Sequence, residues 1–135
     1  MTPSSPALDA LILLTRASAG ATLALDNALS RVGLWLNDLS LLQLLRDAGR
    51  DGLSRVDLAA LLSQSQSETL RRIKPMEKLD WIARTESGNF RLSDNGRALE
   101  LEASGLAANR SEHWLAGLLN DSEISQLVTL LGKLC

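Results

Sequence analysis

Residues 67–84 read SETLRRIKPMEKLDWIAR. Three cations, Arg71, Arg72 and Lys74, follow a polar start, and Pro75 falls where a helix should continue. Ser65 or Ser67 can accept a hydrogen bond from the first turn as an N-cap. Ile73 and Met76 lie at helical spacing and give the segment a buried side, joined by Thr69 or Leu70. A helix with cations on one side and apolar residues on the other fits two readings. It is a nucleic-acid-reading helix, or a solvated basic face with i,i+3 pairs such as Lys74 with Glu77. The neighbouring segments separate them.

Upstream, Asn37 and Asp38 offer caps for a helix to about Ala48, with the stripe Leu39, Leu42, Leu45 and Gly49 as its stop. Ser54 and Asp57 then have capping-box spacing before a short helix whose apolar face is Leu58, Leu61 and Leu62. The polar linker Ser63, Gln64, Ser65 leads into the quoted stretch. Downstream the period changes: WIART and NFRLS alternate and are joined by ESG, a β-hairpin with Gly88 in its turn. Two short helices joined by a tight polar turn and followed by a two-stranded hairpin is the winged helix-turn-helix order.

Long helices flank this head. Ser4 and Ser5 precede Pro6, a cap followed by a first-turn proline. From there Leu8, Leu11, Ile12, Leu14, Leu23, Leu25 and Leu29 place apolar residues on more than one face, interrupted at Gly20. Such a helix is wrapped by other elements or by a partner chain. Ser93 caps a further helix from about Asp94 through His113. Asn120 and Glu123 make an N-x-x-E cap for a last helix with the stripe Ile124, Leu127, Val128, Leu131 and Leu134.

Composition agrees with a mainly α protein carrying a small β-hairpin. Leu and Ala dominate, Tyr is absent and Phe occurs once. The net charge of −2 excludes a globally basic nucleic-acid binder. Charge is nonetheless uneven: residues 46–97 hold 10 basic and 8 acidic side chains, and the remainder 4 and 8. Cys135, the only cysteine, can form no internal disulfide, which suits a reducing cytoplasm, and reads as an inert thiol. No apolar run approaches a membrane span, so no membrane partner is expected. The start MTPSSPALDA lacks the basic n-region of a secretory signal.

The stretches LDNALSRVGLWLNDLSLLQLLRDAG, LSRVDLAALLSQSQSETLRRIKPMEKLDWIAR and LSDNGRALE, with the tail LNDSEISQLVTLLGKL, resemble the MarR family of transcriptional regulators over nearly the whole chain. The resemblance implies a homodimer, with residues of about 5–33 and 110–135 as interlocking dimerisation helices and about 37–97 as a winged helix-turn-helix head. It also implies double-stranded DNA as partner, with two heads on successive major grooves of a pseudo-palindromic operator, most simply as a repressor. Family regulators of this type are released by small phenolic or aromatic effectors bound near the junction of head and dimerisation helices. Trp35 and Arg46 are possible residues of such a pocket, with ordinary packing as the alternative.

On that reading Ser65, Gln66, Ser67, Leu70 and Arg71 face base edges, since a recognition helix presents its N-terminal residues to the major groove. Arg72 and Lys74 are placed to neutralise phosphate. Three features depart from the family pattern. Thr69 and Leu70 look exchanged, so that either the helix is rotated or Leu70 faces the groove. Glu68 would be repelled by phosphate. The wing RTESGNFR is short and lacks the family's D-x-R element; Arg84 and Arg91 flank its turn and either reach DNA or are surface charge, and Glu86 at the tip opposes contact. Pro75 either kinks the helix between its reading and packing ends or opens a new helical turn. The short wing and Glu68 motivate a second reading, a MarR-shaped dimer that binds DNA weakly or not at all and acts through protein contacts.

Other chemistry is thin. His113 is the only histidine and has no cysteine near it, which argues against a metal site. No nucleophile–base constellation or cofactor motif stands out, so no enzyme activity and no cofactor are expected. Trp35, Trp81 and Trp114 read as core or interface anchors, with Trp81 pinning the hairpin to the head.

Overall fold

The computed structural model describes residues 5–135; the expected cap role of Ser4 lies outside them. Six α-helices and one hairpin follow in chain order. They are α1 (Pro6–Leu29), α2 (Leu36–Ala48), α3 (Arg55–Leu61), α4 (Gln66–Lys78), β1 (Ile82–Arg84), β2 (Phe90–Leu92), α5 (Asp94–Leu115) and α6 (Asp121–Gly132). The mainly α class with a small hairpin is as the sequence predicts.

Side-chain caps start most helices. Ser5 accepts from the Leu8 N–H, Ser54 from Asp57, Ser65 from Glu68, Ser93 from Gly96, and Asn120 from Glu123. Each satisfies an N–H that the first helical turn leaves without a partner. At Asn120 the box is reciprocal, because Glu123 accepts from the Asn120 N–H at 3.0 Å. Between the two Ser65/Ser67 candidates, Ser65 is the cap.

The expected cap of α2 is corrected. The helix begins at Leu36, so Asn37 and Asp38 sit inside its first turn. Asp38 accepts from the Trp35 N–H at 2.9 Å, and Asp26, ten residues back on α1, accepts from the Leu36 N–H at 2.6 Å. That second bond comes from tertiary packing and ties α1 to α2.

The core gathers Leu29, Leu34, Leu39, Leu41, Leu42, Leu45, Leu58, Ile73, Met76, Ile82, Phe90 and Leu92 under the head, and Ala103 and Ala107 of α5 close one side. Leu61, expected inside, is exposed, and Ala59 is buried beside Leu58 instead. In α4 the buried positions are Thr69, Ile73 and Met76, one i, i+4, i+7 stripe. The helix is therefore not rotated. Thr69 occupies the core position, and its hydroxyl donates to the Ser65 carbonyl at 2.9 Å, which makes a polar side chain acceptable there.

The hairpin pairs Ile82 with Leu92, Ala83 with Arg91 and Arg84 with Phe90. Gly88 takes φ 86° in its turn. A third short edge joins it, which the sequence did not suggest: Leu53 and Phe90 exchange two backbone bonds of 2.9 Å. Gly52, at φ 65°, makes that approach possible, since a Cβ there would lie 2.1 Å from the Phe90 carbonyl oxygen.

Helix α1 lies along α5 and also touches α2, yet only Ala24 and Leu29 of it are buried. Leu8, Leu11, Leu13 and Leu23 are exposed. Gly20 lets the indole of Trp114 approach, Cζ2 lying 3.3 Å from where a Cβ would stand. The expectation that nothing approaches a membrane span also needs correcting. The stretch Pro6–Val32 is long and apolar enough to cross one. Its leucines and alanines are spread between Asp9, Arg16 and Asp26 instead of forming one unbroken run.

The hairpin and α4 are fastened to α5 at one junction. Ser93 donates through its hydroxyl to the Asp80 carbonyl, and its N–H bonds to the Trp81 carbonyl at 3.0 Å. A Cβ on Gly96 would lie 1.9 Å from that Trp81 oxygen. Gly96→Ala should therefore lower the unfolding free energy by roughly 2–3 kcal/mol through forced backbone displacement. A fall in the urea midpoint at constant m-value checks this; an unchanged midpoint would mean the junction yields freely.

Candidate nucleic-acid interface

Helix α4 carries four cations, Arg71, Arg72, Lys74 and Lys78, against two carboxylates, Glu68 and Glu77. With Thr69, Ile73 and Met76 turned inward, Ser67, Leu70, Arg71, Lys74, Pro75 and Lys78, together with the carboxylate Glu77, line one open, shallow concavity on its outer side. Gln66 and Ser67 are exposed at its N-terminus, where unpaired N–H groups and the helix dipole favour anions. Leu70 is half-buried, packed against the core at its base. Sequence reasoning left out Lys78; its i+4 spacing from Lys74 was the available signal.

The expected residues are not equivalent in their surroundings. Arg71 and Lys74 are exposed and, among the described residues, carry no ion pair. Arg72 instead sits 3.5 Å from Asp38 of α2. Glu68 shares a concavity with Arg71, Arg72, Asp38 and Trp35, so a carboxylate does face the cationic helix start.

The wing splits its two arginines. Arg84 bonds Glu77 at 3.2 Å and stacks over the Phe90 ring at 4.6 Å, which holds it at the wing base. Arg91 lies on the other side, donating to the Leu92 carbonyl at 3.2 Å and lining a cavity with Arg46, Arg50 and Arg97. The tip between the strands is closed by Thr85–Asn89 and Thr85–Gly88 backbone bonds and carries Glu86 but no cation.

Pro75 sits inside a helix that runs unbroken from Gln66 to Lys78, with its ring on the exposed side. It cannot donate to the Arg71 carbonyl, which leaves that acceptor on the cationic face.

Trp35 and Arg46 are not brought together. Trp35 is 66% exposed, not a core anchor. It borders an open cavity of about 770 Å³ between α1 and α5, with Leu23, Ala24, Asp26, Arg110 and Trp114. Arg46 lies elsewhere, bonded to Asp47 at 3.0 Å and to Glu100 at 2.5 Å. Hydrogen bonding to Asp47, with support from Glu100, raises the Arg46 pKa above the ordinary arginine value against the opposing effect of burial. Glu100 is 2% exposed and also accepts from Ser104, to which Gln43 of α2 donates. This network clasps α2 to α5. Among the described residues no cluster of metal-ligating side chains occurs.

A helix-turn-helix of α3 and α4, a two-stranded wing and long flanking helices define a winged helix-turn-helix protein. No protein-family model and no curated protein sequence matches the chain. Solved structures do. The chain is similar to a MarR-family transcriptional regulator from Rhodococcus sp. RHA1, with a TM-score of 0.86 and 21% identity over 98% of this chain and 97% of that one. It is similar to the Mycobacterium tuberculosis MarR family protein Rv2887 in complex with DNA, with a TM-score of 0.77 and 24% identity over 98% of both chains. Rv2887 in complex with salicylic acid gives a TM-score of 0.71 and 27% identity over 91% of this chain and 95% of that one. The chain has the MarR winged-helix fold over nearly its full length, the architecture of a transcriptional regulator.

Arg46 has a structural duty that is separable from ligand binding. Arg46→Ala leaves the Glu100 carboxylate buried without its cation and should cost roughly 2–3 kcal/mol of stability. Glu100→Gln, which leaves no buried charge behind, should cost less. Urea denaturation of both variants checks the order, and equal costs would refute it.

Proposed function

We propose that the chain is a homodimeric, cytoplasmic transcriptional regulator, a repressor, that binds a pseudo-palindromic operator in double-stranded DNA through α4. The observation that carries this reading is the outer face of α4. Arg71, Lys74 and Lys78 stand exposed and, among the described residues, without an ion pair on a helix capped by Ser65, within a helix-turn-helix followed by a wing. Gln66, Ser67 and Arg71 supply base-edge donors, and Lys74 and Lys78 supply phosphate contacts. Rv2887 binds DNA with the same fold.

The head, at about residues 37–97, is carried by dimerisation helices at about 5–33 and 110–135. The apolar residues that no element of the chain covers support this. Leu8, Leu11 and Leu13 of α1 and Leu127, Val128, Leu130 and Leu134 toward the C-terminus are exposed, Val128 by 67%. These are exposed apolar side chains of the kind a permanent partner buries. A small aromatic acid is the effector class that fits the cavity of Trp35, Trp114 and Arg110, two indoles for a ring and a guanidinium for a carboxylate. Rv2887 binds salicylic acid.

The second reading, a dimer that acts through protein contacts, is favoured by the wing. Arg84 is held by Glu77, and Glu86 occupies the tip. Fluorescence anisotropy on fragmented bacterial genomic DNA across a salt series, with bound fragments sequenced, separates the two. The regulator enriches palindromes with salt-sensitive affinity. Arg71→Ala/Lys74→Ala should weaken binding about 100-fold and flatten the log–log salt slope by about two. No enrichment over random duplex at low salt, from a folded dimer, sinks the DNA-reading role.

The dimer is tested apart from DNA. Leu127→Glu/Leu131→Glu should convert the protein to a monomer in light scattering after gel filtration, and a dimer that persists would place the interface elsewhere.

A further inference from the structure

A second cationic site lies away from α4. Arg46, Arg50, Arg91 and Arg97 line one cavity of about 260 Å³ with Leu45, Gly49 and Leu92. Four segments build it: the end of α2, the turn Gly49–Asp51, strand β2 and the first turns of α5. No carboxylate lines it, and Arg46 is paired with Asp47 and Glu100 behind the wall. Among the described residues Arg50, Arg91 and Arg97 carry no ion pair. Arg91 is fixed by its bond to the Leu92 carbonyl.

Three uncompensated guanidiniums around one small cavity repel each other, in a chain whose net charge is −2. A multivalent anion relieves that repulsion, and the planar fork of arginine matches the oxygens of phosphate. The volume suits a small molecule and is too confined for a duplex, while Leu45 and Leu92 offer apolar wall to a substituent.

We propose that this cavity binds a small phosphate-bearing anion, a phosphomonoester or pyrophosphate, held by Arg50, Arg91 and Arg97. Arg46, anchored to Glu100, forms the fixed wall. The site stands on its own and needs neither DNA binding nor the aromatic cavity between α1 and α5. Occupation would cross-link the end of α2, strand β2 and the start of α5.

The test titrates inorganic pyrophosphate into the full chain by calorimetry, at ionic strength held constant with sodium chloride. Saturable binding of one anion per chain is expected. Arg50→Gln and Arg97→Gln should each weaken it at least about tenfold, the loss of a charge-assisted contact. Arg55→Gln, outside the cavity, should leave it unchanged. Should Arg97→Gln fail to fold, Arg97→Lys keeps the charge, loses the fork and should still bind more weakly. Equal weak binding by all variants would overturn the site in favour of general screening. The absence of saturable pyrophosphate binding would overturn it as well, and a DNA salt slope reduced by about one in Arg97→Gln would then assign the arginines to the DNA backbone.

Discussion

The position of α4 depends on one close approach, that of the α5 backbone to the Trp81 carbonyl. Gly96 is the residue that permits it, since any side chain there would collide with backbone. Around it, Ser93 serves two elements at once: its hydroxyl accepts from the Gly96 N–H to start α5 and donates to the Asp80 carbonyl at the end of α4. Asp80 holds φ 60°, a left-handed conformation that turns the chain sharply from α4 into β1. Asn95 steadies that turn by donating to the Asp80 carboxylate at 2.8 Å. The helix that bears the cations, the wing and the long helix that leads away from the head are thus fixed relative to each other within a few residues. The Arg46–Glu100–Ser104–Gln43 network does the same for α2.

Such fastening matters because the free cations are few. Of the basic residues on α4 and the wing, Arg72 and Arg84 are engaged by Asp38 and Glu77, and Arg91 faces away from α4 into a different cavity. The remaining charge lies on a single helical face, Arg71, Lys74 and Lys78. Contacts from a rigid element carry little ordering cost, so three well-placed cations can act where a longer, mobile wing would lose entropy. The Arg72–Asp38 pair is partly buried and 3.5 Å apart, so Arg72 stays committed to α2 more firmly than an exposed cation would.

Local chemistry was legible in the sequence, and long-range chemistry was not. Ser5, Ser54, Ser65, Ser93 and Asn120 cap their helices because a cap needs only residues three positions apart. The hairpin followed from alternation around Gly88. The start of α2 escaped because Asp26, ten residues earlier, accepts from the Leu36 N–H. The Leu53–Phe90 bridge escaped because its partners are far apart in the chain. For the site, the position of α4 and its outward cations were readable from Ile73 and Met76. Pairing of Arg72 with Asp38, separation of Trp35 from Arg46 and convergence of Arg50, Arg91 and Arg97 all require knowing which elements meet. Thr69 is the instructive case. Apolar periodicity alone would favour Leu70 for the core, but a threonine whose hydroxyl returns to the Ser65 carbonyl packs as a small apolar residue.

The same distinction accounts for the unburied leucines. Helix α6 carries a regular apolar stripe and α1 is apolar on more than one face, yet α6 buries none of its residues and α1 only two. A sequence pattern records that a face is to be covered, and it is silent on whether the cover comes from the same chain. Here Leu42, Leu58, Ile73 and Phe90 share one core with Leu29 of α1 and Ala103 and Ala107 of α5, while α1 and α6 carry apolar residues that no element among the described residues covers. The exposed apolar residues of α1 and α6 place the hydrophobic driving force for association outside α4. Association through those helices would leave the face of Ser67, Arg71, Lys74 and Lys78 free on each copy, and the spacing between the two faces would then be set by helix packing and not by the head.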